Sequence, residues 1–165
     1  MNQDKVRINK VDHIAITVAD AEAVAGFYKR VFDARELYRL GPLTSSSMPK
    51  TQAGEDWTSA YLGVPNATLT LIMLQLGDIG LELFQYDLPK SETPRPAPPN
   101  TIGSCHIGLE VTDLGAVIER LRQSGCTILT GPIAMESGPV ADKLFHYFRD
   151  PFGNTLELVS NRERH

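Results

Sequence analysis

Two stretches of this chain, Asp12-His13-Ile14-Ala15-Ile16 and Cys105-His106-Ile107-Gly108-Leu109, carry the same pattern of residues. In each stretch a histidine precedes aliphatic residues that alternate with a small residue, as expected for a β-strand with one buried face. Later in each half a glutamate lies between two leucines, in Leu81-Glu82-Leu83 and in Leu156-Glu157-Leu158. Because successive side chains of a strand point to opposite faces, the histidines and glutamates are predicted to lie opposite the aliphatic residues. The repeated pattern predicts two modules with the same fold.

The elements around these stretches follow one order in both halves: a strand, a helix, then three strands. Asp20 and Asp113 are good N-cap residues for the two helices, and the apolar residues that follow recur at helical spacing. The stretch from Gly41 to Asp56 is polar and aperiodic, so it is predicted as a loop, either a lid or recognition element or a disordered decoration. The strands are predicted at approximately 11–18, 58–63, 68–76 and 79–86, and at approximately 105–111, 127–130, 143–149 and 154–160.

A proline-rich segment from Pro89 to Pro99 separates the two halves. Such a segment cannot continue a helix or a central strand, and it favours an extended, semi-rigid geometry. We therefore predict an α+β protein with a first βαβββ module over 1–88, a linker over 89–100 and a second βαβββ module over 101–165.

The composition argues against several classes of partner. The chain has 16 Lys+Arg against 20 Asp+Glu, and its basic residues are scattered, so no nucleic-acid-binding surface is predicted. The longest apolar run, Leu69 to Leu76, contains polar residues and is too short to cross a bilayer. Residues 1–5 contain no apolar signal-peptide core, and Cys105 and Cys126 form no CxxC pattern. We expect a cytoplasmic protein without nucleic-acid or membrane partners.

The two histidines and two glutamates are candidate ligands of a metal ion. A single histidine or glutamate in a strand is usually a residue of the solvated face. Here each histidine and each glutamate has the same place in its module, and all four lie opposite aliphatic residues. If the two sheets curl together, two enclosed carboxylates would be unfavourable without a cation. Imidazole nitrogens and carboxylate oxygens together suit a divalent cation.

These features resemble the vicinal oxygen chelate superfamily, which includes glyoxalase I, methylmalonyl-CoA epimerase, extradiol dioxygenases and the fosfomycin-resistance thiol transferases. The resemblance implies one domain of two tandem βαβββ modules that form a cup-shaped mixed sheet with helices on the outside. It extends from Asp12 to Val159 and rests on Asp12-His13-Ile14-Ala15, Phe27-Tyr28 with Val31-Phe32, Leu81-Glu82-Leu83, His106-Ile107, and Asp150-Pro151-Phe152-Gly153-Asn154 with Leu156-Glu157-Leu158.

The ligand set that the resemblance implies is His13, Glu82, His106 and Glu157 around one divalent metal ion per chain, with nickel, cobalt, zinc, manganese and magnesium all open. Two free coordination positions would take water or two neighbouring oxygens of the substrate. The implied activity is that of an isomerase or lyase, glyoxalase I-like or methylmalonyl-CoA epimerase-like, which transfers a proton next to a carbonyl. In the glyoxalase type a ligand glutamate leaves the metal and acts as the base, so Glu82 and Glu157 are the catalytic candidates.

The substrate class expected from these relatives is an acyl-CoA or a glutathione hemithioacetal. A homodimer is also expected, because relatives generally bury their exposed sheet edges in one. The site could form within one chain or across the dimer, and the sequence leaves both arrangements open.

Four more residues are candidates for substrate binding. Trp57, Tyr61 and Asn66 would shape the pocket, although core packing accounts equally well for the first two. Lys143 would bind a carboxylate or phosphate of the substrate, or lie on the solvated surface. Methylmalonyl-CoA epimerases carry a glutamate base just before the strand that leads into the first hairpin. This chain has Gly63-Val64-Pro65-Asn66-Ala67 there, without a carboxylate.

Two alternative functions compete with the isomerase interpretation. An extradiol-type dioxygenase binds iron through two histidines and one carboxylate, and a second carboxylate at Glu82 would fill a position that oxygen chemistry needs free. A non-catalytic drug-binding protein of the same superfamily generally lacks the ligand set, whereas all four positions are filled here.

Overall fold

The computed structural model describes residues 7–93 and 95–162. The chain divides into two compact units, and the division falls between Glu92 and Thr93. The parts of the predicted modules and linker at 1–6, at Pro94 and at 163–165 lie outside the described residues, as does the predicted absence of a signal peptide at 1–5. No helix in the described part of the chain is long and apolar enough to cross a membrane.

The first unit contains a four-stranded mixed sheet. Its strands lie in the order β1-β4-β3-β2; β1 pairs parallel with β4, and the other neighbours are antiparallel. The elements in chain order are β1 (His13–Thr17), α1 (Ala21–Phe32), β2 (Arg35–Thr44), α2 (Trp57–Leu62), β3 (Thr68–Leu76) and β4 (Ile79–Leu88). Helix α1 packs against β3 and β4. It buries Val24, Phe27 and Tyr28 there, which are the apolar residues at helical spacing.

The second unit repeats this topology. Its elements are β5 (Ile107–Glu110), α3 (Leu114–Gln123), β6 (Thr127–Ile128), β7 (Ile133–Ala134), β8 (Lys143–Arg149) and β9 (Thr155–Asn161). The strand order is β5-β9-β8-β6, and the short β7 pairs with β8. Again the first strand pairs parallel with the last. The predicted α+β class and the two βαβββ modules are therefore confirmed, with α2 and β7 as additions.

The predicted strand over 58–63 is wrong, because these residues belong to helix α2 and its C-cap. The side chain of Asp56 caps the helix by accepting from the backbone N–H of Ser59 at 3.0 Å, and Gly63 ends it in the left-handed conformation. The second strand of the module is instead β2, an edge strand with two register shifts against β3. Such irregular, mostly exposed strands lack the alternation by which strands are found in a sequence.

The predicted loop over 41–56 is shorter than expected, since β2 continues to Thr44. The remaining loop residues connect β2 to α2. The hydroxyl of Ser45, at the start of this loop, donates to Asp56 Oδ1 at 2.9 Å. Asp56 thus caps α2 and also joins the two ends of the loop.

The N-caps predicted for the two helices are confirmed. Asp20 and Asp113 accept from the backbone N–H of Ala23 and Ala116, each at 2.9 Å. In the second unit, Asp150 is buried and its Oδ1 accepts from the backbone N–H groups of Phe152 and Asn154, each at 2.9 Å. Its Oδ2 accepts from the Asn154 side chain at 2.7 Å. The Asp-Pro-Phe-Gly-Asn motif therefore builds the turn into β9.

Candidate metal centre

The first unit brings one predicted histidine and one predicted glutamate together. His13 Nε2 lies 3.5 Å from Glu82 Oε2. The register of the parallel strands explains this, because Ala15 lies opposite Glu82 and His13 is two residues before Ala15. Both side chains therefore occupy one face of the sheet, with the glutamate 13% exposed and the histidine 41%.

The second unit contains the same pair in the same register. His106 Nε2 lies 3.6 Å from Glu157 Oε2. Gly108 lies opposite Glu157, and His106 is two residues before Gly108. The exposed fractions, 44% for the histidine and 14% for the glutamate, also match those of the first pair. The two modules therefore repeat a donor geometry as well as a fold.

Each pair has a separation that suits two ligands of one ion. Nitrogen and oxygen donors lie about 2.0–2.2 Å from such a cation, so two donors at right angles are roughly 3 Å apart. The His–Glu separations are slightly longer than this. Within the described ranges, no three His, Cys, Asp or Glu side chains group into a metal site, so each unit by itself supplies two donors. That all four residues bind one cation stays a prediction.

Gly80 gives His13 the space that it occupies. Gly80 lies directly opposite His13, and a Cβ atom at Gly80 would be 2.9 Å from His13 Cβ and 3.1 Å from the Asp12 carbonyl oxygen. Real Cβ atoms essentially never show the first of these distances, so a side chain at Gly80 would force His13 or the neighbouring backbone to shift. Gly108 differs, because a Cβ there would meet Glu157 Oε2 at an ordinary 3.8 Å. This role of Gly80 was not predicted from the sequence, although the glycine lies two residues before Glu82.

Asp12 forms a hydrogen bond with Nδ1, the imidazole nitrogen of His13 that faces away from Glu82. Asp12 Oδ2 lies 3.2 Å from His13 Nδ1, and Lys10 Nζ lies 3.2 Å from Asp12 Oδ1. The hydrogen bond to His13, followed by that to Lys10, lowers the pKa of Asp12 below its ordinary value. A histidine that donates from Nδ1 to a carboxylate presents the lone pair of Nε2 to a cation. At the matching position of the second module the chain has Cys105, which is exposed and offers no carboxylate.

Tyr147 contacts the second pair and was missed by the sequence analysis. Its hydroxyl lies 3.3 Å from His106 Nε2, and the two rings meet edge to face with centroids 5.1 Å apart. Tyr147 lies directly opposite Glu157 in the β8–β9 pairing. Burial, and next the charge of Glu157, raises the pKa of Tyr147, so the phenol keeps its proton. Met73 holds the equivalent position opposite Glu82 in the first unit.

Aromatic and aliphatic side chains lie on the same face of the first sheet as Glu82. Phe84 and Tyr86 follow Glu82 at alternate positions of β4, and their rings stack with centroids 6.0 Å apart. Trp57 packs with them against Leu69 and Leu71. Its Nε1 is buried, and no hydrogen-bond partner for it occurs among the described residues. Of the four substrate-binding candidates, Trp57 is therefore the one that packs on the side of Glu82.

The other three candidates have different surroundings. Tyr61 is 84% exposed on α2. Asn66 adopts a positive φ of 54° between α2 and β3, a conformation that asparagine tolerates in turns. Lys143 begins β8 and donates to Asn161 Oδ1 at 2.7 Å. A role of these three in substrate binding stays a prediction.

The chain is similar to known proteins in sequence and in fold. The chain is 34% identical over 154 residues to a 2-epi-5-epi-valiolone epimerase from Actinomyces sp, with 91% of this chain and 78% of that protein covered. It is similar to a glyoxalase family protein from Bacillus cereus, with a TM-score of 0.75, 18% identity and coverage of 98% and 99%. It is also similar to the fosfomycin resistance protein FosX from Listeria monocytogenes, whose crystal structure contains Mn(II) and sulfate, with a TM-score of 0.58, 15% identity and 94% of each chain covered.

The family model of the Glyoxalase/Bleomycin resistance protein/Dioxygenase superfamily matches residues 10–158. This range contains both His–Glu pairs and nearly all of both sheets. The chain therefore belongs to the Glyoxalase/Bleomycin resistance protein/Dioxygenase superfamily, a group within the vicinal oxygen chelate proteins.

Proposed function

We propose that this protein is a divalent-metal-dependent isomerase or lyase that transfers a proton next to a carbonyl, and specifically an epimerase of a hydroxylated ketone. The observation that carries the proposal is the repeated His–Glu pair, in the same register and with nearly the same separation in both modules. His13, Glu82, His106 and Glu157 are the proposed ligands of one cation per site.

The donor chemistry supports a cation from the group of nickel, cobalt, zinc, manganese and magnesium. FosX from Listeria monocytogenes, which shares the fold, is known with Mn(II). When bound, the cation would supply Lewis acidity that stabilises negative charge on the carbonyl oxygen. The residues of the chain hold the cation, bind the substrate and move the proton.

The proton transfer is assigned to a carboxylate, and Glu82 and Glu157 are the candidates. The base takes the proton from the carbon next to the ketone, and the electron pair of the C–H bond moves toward the carbonyl group. The other glutamate, in its protonated form, donates a proton to the opposite face of the same carbon, and the electron pair returns from the carbonyl group to form the new C–H bond. No atom is gained or lost, and the product is the epimer. Both carboxylates are mostly buried, so they are shielded from bulk water.

The substrate proposal rests on the relative from Actinomyces, which is named as an epimerase of 2-epi-5-epi-valiolone. We propose a polyhydroxylated cyclic ketone of this kind as the first substrate to test. Acyl-CoA esters and glutathione hemithioacetals, the classes that the resemblance implied, form the comparison group.

The direct experiment is proton NMR in deuterium oxide with protein loaded in turn with Mn(II), Co(II), Ni(II), Zn(II) or Mg(II). Samples contain 2-epi-5-epi-valiolone, methylmalonyl-CoA or the hemithioacetal of methylglyoxal and glutathione. We expect deuterium at the carbon next to the ketone together with the epimer, and neither after the cation is removed with a chelator. Equal exchange by the chelated protein would contradict the metal role.

The two alternatives give different results in the same series. Oxygen consumption with a catechol and Fe(II), without exchange of any ketone or ester, would establish the dioxygenase. Binding of a small molecule without exchange or oxygen consumption would establish a non-catalytic binding protein.

A further inference from the structure

We propose that Asp12 is a positioning residue for the cation: it keeps the proton of the His13 ring on Nδ1 and so leaves the lone pair of Nε2 free to bind. This inference rests on the proposed function, in which His13 is a ligand. The second module has no such residue beside His106. The two His–Glu pairs therefore have similar separations but are unequally prepared for a cation.

The backbone of Asp12 is fixed by the neighbouring strand. The N–H of Gly80 donates to the Asp12 carbonyl oxygen at 3.2 Å, and the next residue, His13, begins β1 directly opposite Gly80. In the second unit the pairing with β9 begins only at Ile107, so His106 precedes its strand. The backbone of the first histidine is therefore held by strand pairing, and that of the second is not.

The ring of His13 has its hydrogen-bond acceptor at Nδ1. Asp12 Oδ2 lies 3.2 Å from this nitrogen, and the other carboxylate oxygen lies 3.2 Å from Lys10 Nζ, which orients the carboxylate by a second contact. Glu82 Oε2 lies 3.5 Å from Nε2, which is beyond the usual limit of about 3.2 Å for an N–H···O hydrogen bond. The distances therefore favour the tautomer with its proton on Nδ1.

The ring of His106 has its neighbours at the other nitrogen. The Tyr147 hydroxyl at 3.3 Å and Glu157 Oε2 at 3.6 Å both lie beside Nε2. The preceding residue is Cys105, which is exposed and whose thiol is a weak acceptor. In the described part of the chain, Nδ1 of His106 has no hydrogen-bond partner. No carboxylate there keeps the ring proton away from the nitrogen that is proposed as the ligand.

The tautomer matters because an imidazole nitrogen must be free of its proton before it binds a cation. A carboxylate that accepts from the other nitrogen fixes this tautomer and raises the basicity of the ligand, and its loss typically lowers metal affinity by about 10- to 100-fold. The side chains of Asp12 and His13 are 71% and 41% exposed. Exposed contacts are weaker than buried ones, so we expect the lower end of this range.

The first test observes the ring tautomer in metal-free protein by nitrogen NMR at about pH 9, where imidazole is ordinarily neutral. The variant is Asp12→Ala, and the matched control is Cys105→Ala, which changes the residue before the other histidine. We expect the proton of His13 on Nδ1 in wild type and control, and mainly on Nε2 in Asp12→Ala. The signals of His106 are the internal reference for Asp12→Ala. An unchanged His13 tautomer in Asp12→Ala would overturn the inference.

The second test measures the affinity for the five proposed cations in turn by isothermal titration calorimetry. We expect Asp12→Ala to lose about tenfold, and Cys105→Ala to stay within about twofold of wild type. The loss should persist in about 0.5 M sodium chloride, where a Debye length of about 4 Å screens the charge of an exposed residue. A loss that disappears in salt would make Asp12 a distant charge rather than a positioning residue. Wild-type affinity in Asp12→Ala would also contradict the inference.

Neither measurement uses a substrate, so this inference and the proposed function fail separately. If the metal-loaded wild type epimerises a ketone while Asp12→Ala keeps the wild-type tautomer or affinity, the role of Asp12 is wrong and the function stands. If no ketone or ester exchanges but the tautomer and the cation affinity depend on Asp12, the function is wrong and the positioning role stands. A wild type that binds none of the five cations would overturn both.

Discussion

Close packing at one glycine determines how near His13 can approach strand β4. A Cβ atom at Gly80 would be 2.9 Å from His13 Cβ, whereas one at Gly108 would meet nothing closer than 3.8 Å. Although both glycines lie beside a proposed ligand, only Gly80 is required by the space available. The absence of a side chain at Gly80 therefore leaves room for His13 beside β4, where it pairs with Glu82.

We therefore predict that Gly80→Ala displaces His13 and lowers Mn(II) affinity by roughly tenfold or more, a typical effect of disturbing the residues that support a ligand. Gly108→Ala is the matched control, and it should keep wild-type affinity. Calorimetric titration of both variants with Mn(II) measures the effect, and circular dichroism confirms that both remain folded. Equal affinities in the two variants would contradict the steric argument.

Removing a charge and removing a ligand should have different effects at the second pair. Glu157→Gln keeps the shape of the side chain but cannot accept a proton, so we expect a folded protein without measurable turnover. His106→Ala should lose cation affinity first, and its activity should return in part at high Mn(II). Activity measured against Mn(II) concentration distinguishes the two variants.

The matched control for these variants is Glu119→Gln, a neutralisation on the exposed side of α3 that should change neither quantity. Turnover by Glu157→Gln equal to that of wild type would leave Glu82 as the candidate base.

At the scale of elements, a turn motif that is also part of the family resemblance has a structural role. Asp150 is buried, and its carboxylate accepts two backbone N–H groups and the Asn154 side chain in the turn that leads into β9. Because β9 carries Glu157, this turn holds the strand that positions a proposed ligand.

We predict that Asp150→Ala lowers the free energy of unfolding by about 2–4 kcal/mol, because two partly buried backbone N–H groups and the Asn154 side chain lose their acceptor. Asp150→Asn should lose less, since one side-chain oxygen still accepts the backbone bonds. Urea unfolding followed by circular dichroism measures both values. A stability of Asp150→Ala equal to that of wild type would show that the turn forms without the carboxylate.

The helices could be located from the sequence more accurately than some of the strands. Helices α1 and α3 were found because their caps and apolar spacing are local signals. The predicted strand over 58–63 failed because this short segment has no clear alternation, and Thr58 and Tyr61 suit a short helix as well as a strand. Asp56 and Gly63, at its two ends, decide for the helix. Strand β2 was missed because it is an exposed edge with interrupted register.

At the scale of the whole molecule, we expect a symmetric homodimer. Strand β2 is an edge of the first sheet, and Leu37, Tyr38 and Leu40 are each more than 40% exposed on it. An exposed apolar edge strand is a surface that proteins usually cover, and a twofold dimer covers it with the same surface of a second copy. Light scattering at micromolar concentration should give twice the chain mass of 18.2 kDa. The mass of a single chain would contradict this expectation.

Complementation shows whether one site takes its two His–Glu pairs from one chain or from two. Chains with His13→Ala and chains with His106→Ala are co-expressed with different tags and purified as mixed dimers. If each site forms within one chain, every site lacks a ligand and activity is absent. If each site joins the first module of one chain to the second module of the other, one intact site per mixed dimer restores about half of the wild-type activity.

The sequence by itself determined the repeat, the two capped helices and the faces of the four proposed ligands. These features depend on signals within a few residues, namely strand alternation and side-chain hydrogen bonds to nearby backbone groups. Only the tertiary structure showed that Gly80 lies opposite His13 on the neighbouring strand and that Tyr147 contacts His106. Those contacts depend on the register between strands that are distant in the chain, and local patterns carry no information on which residues lie opposite each other.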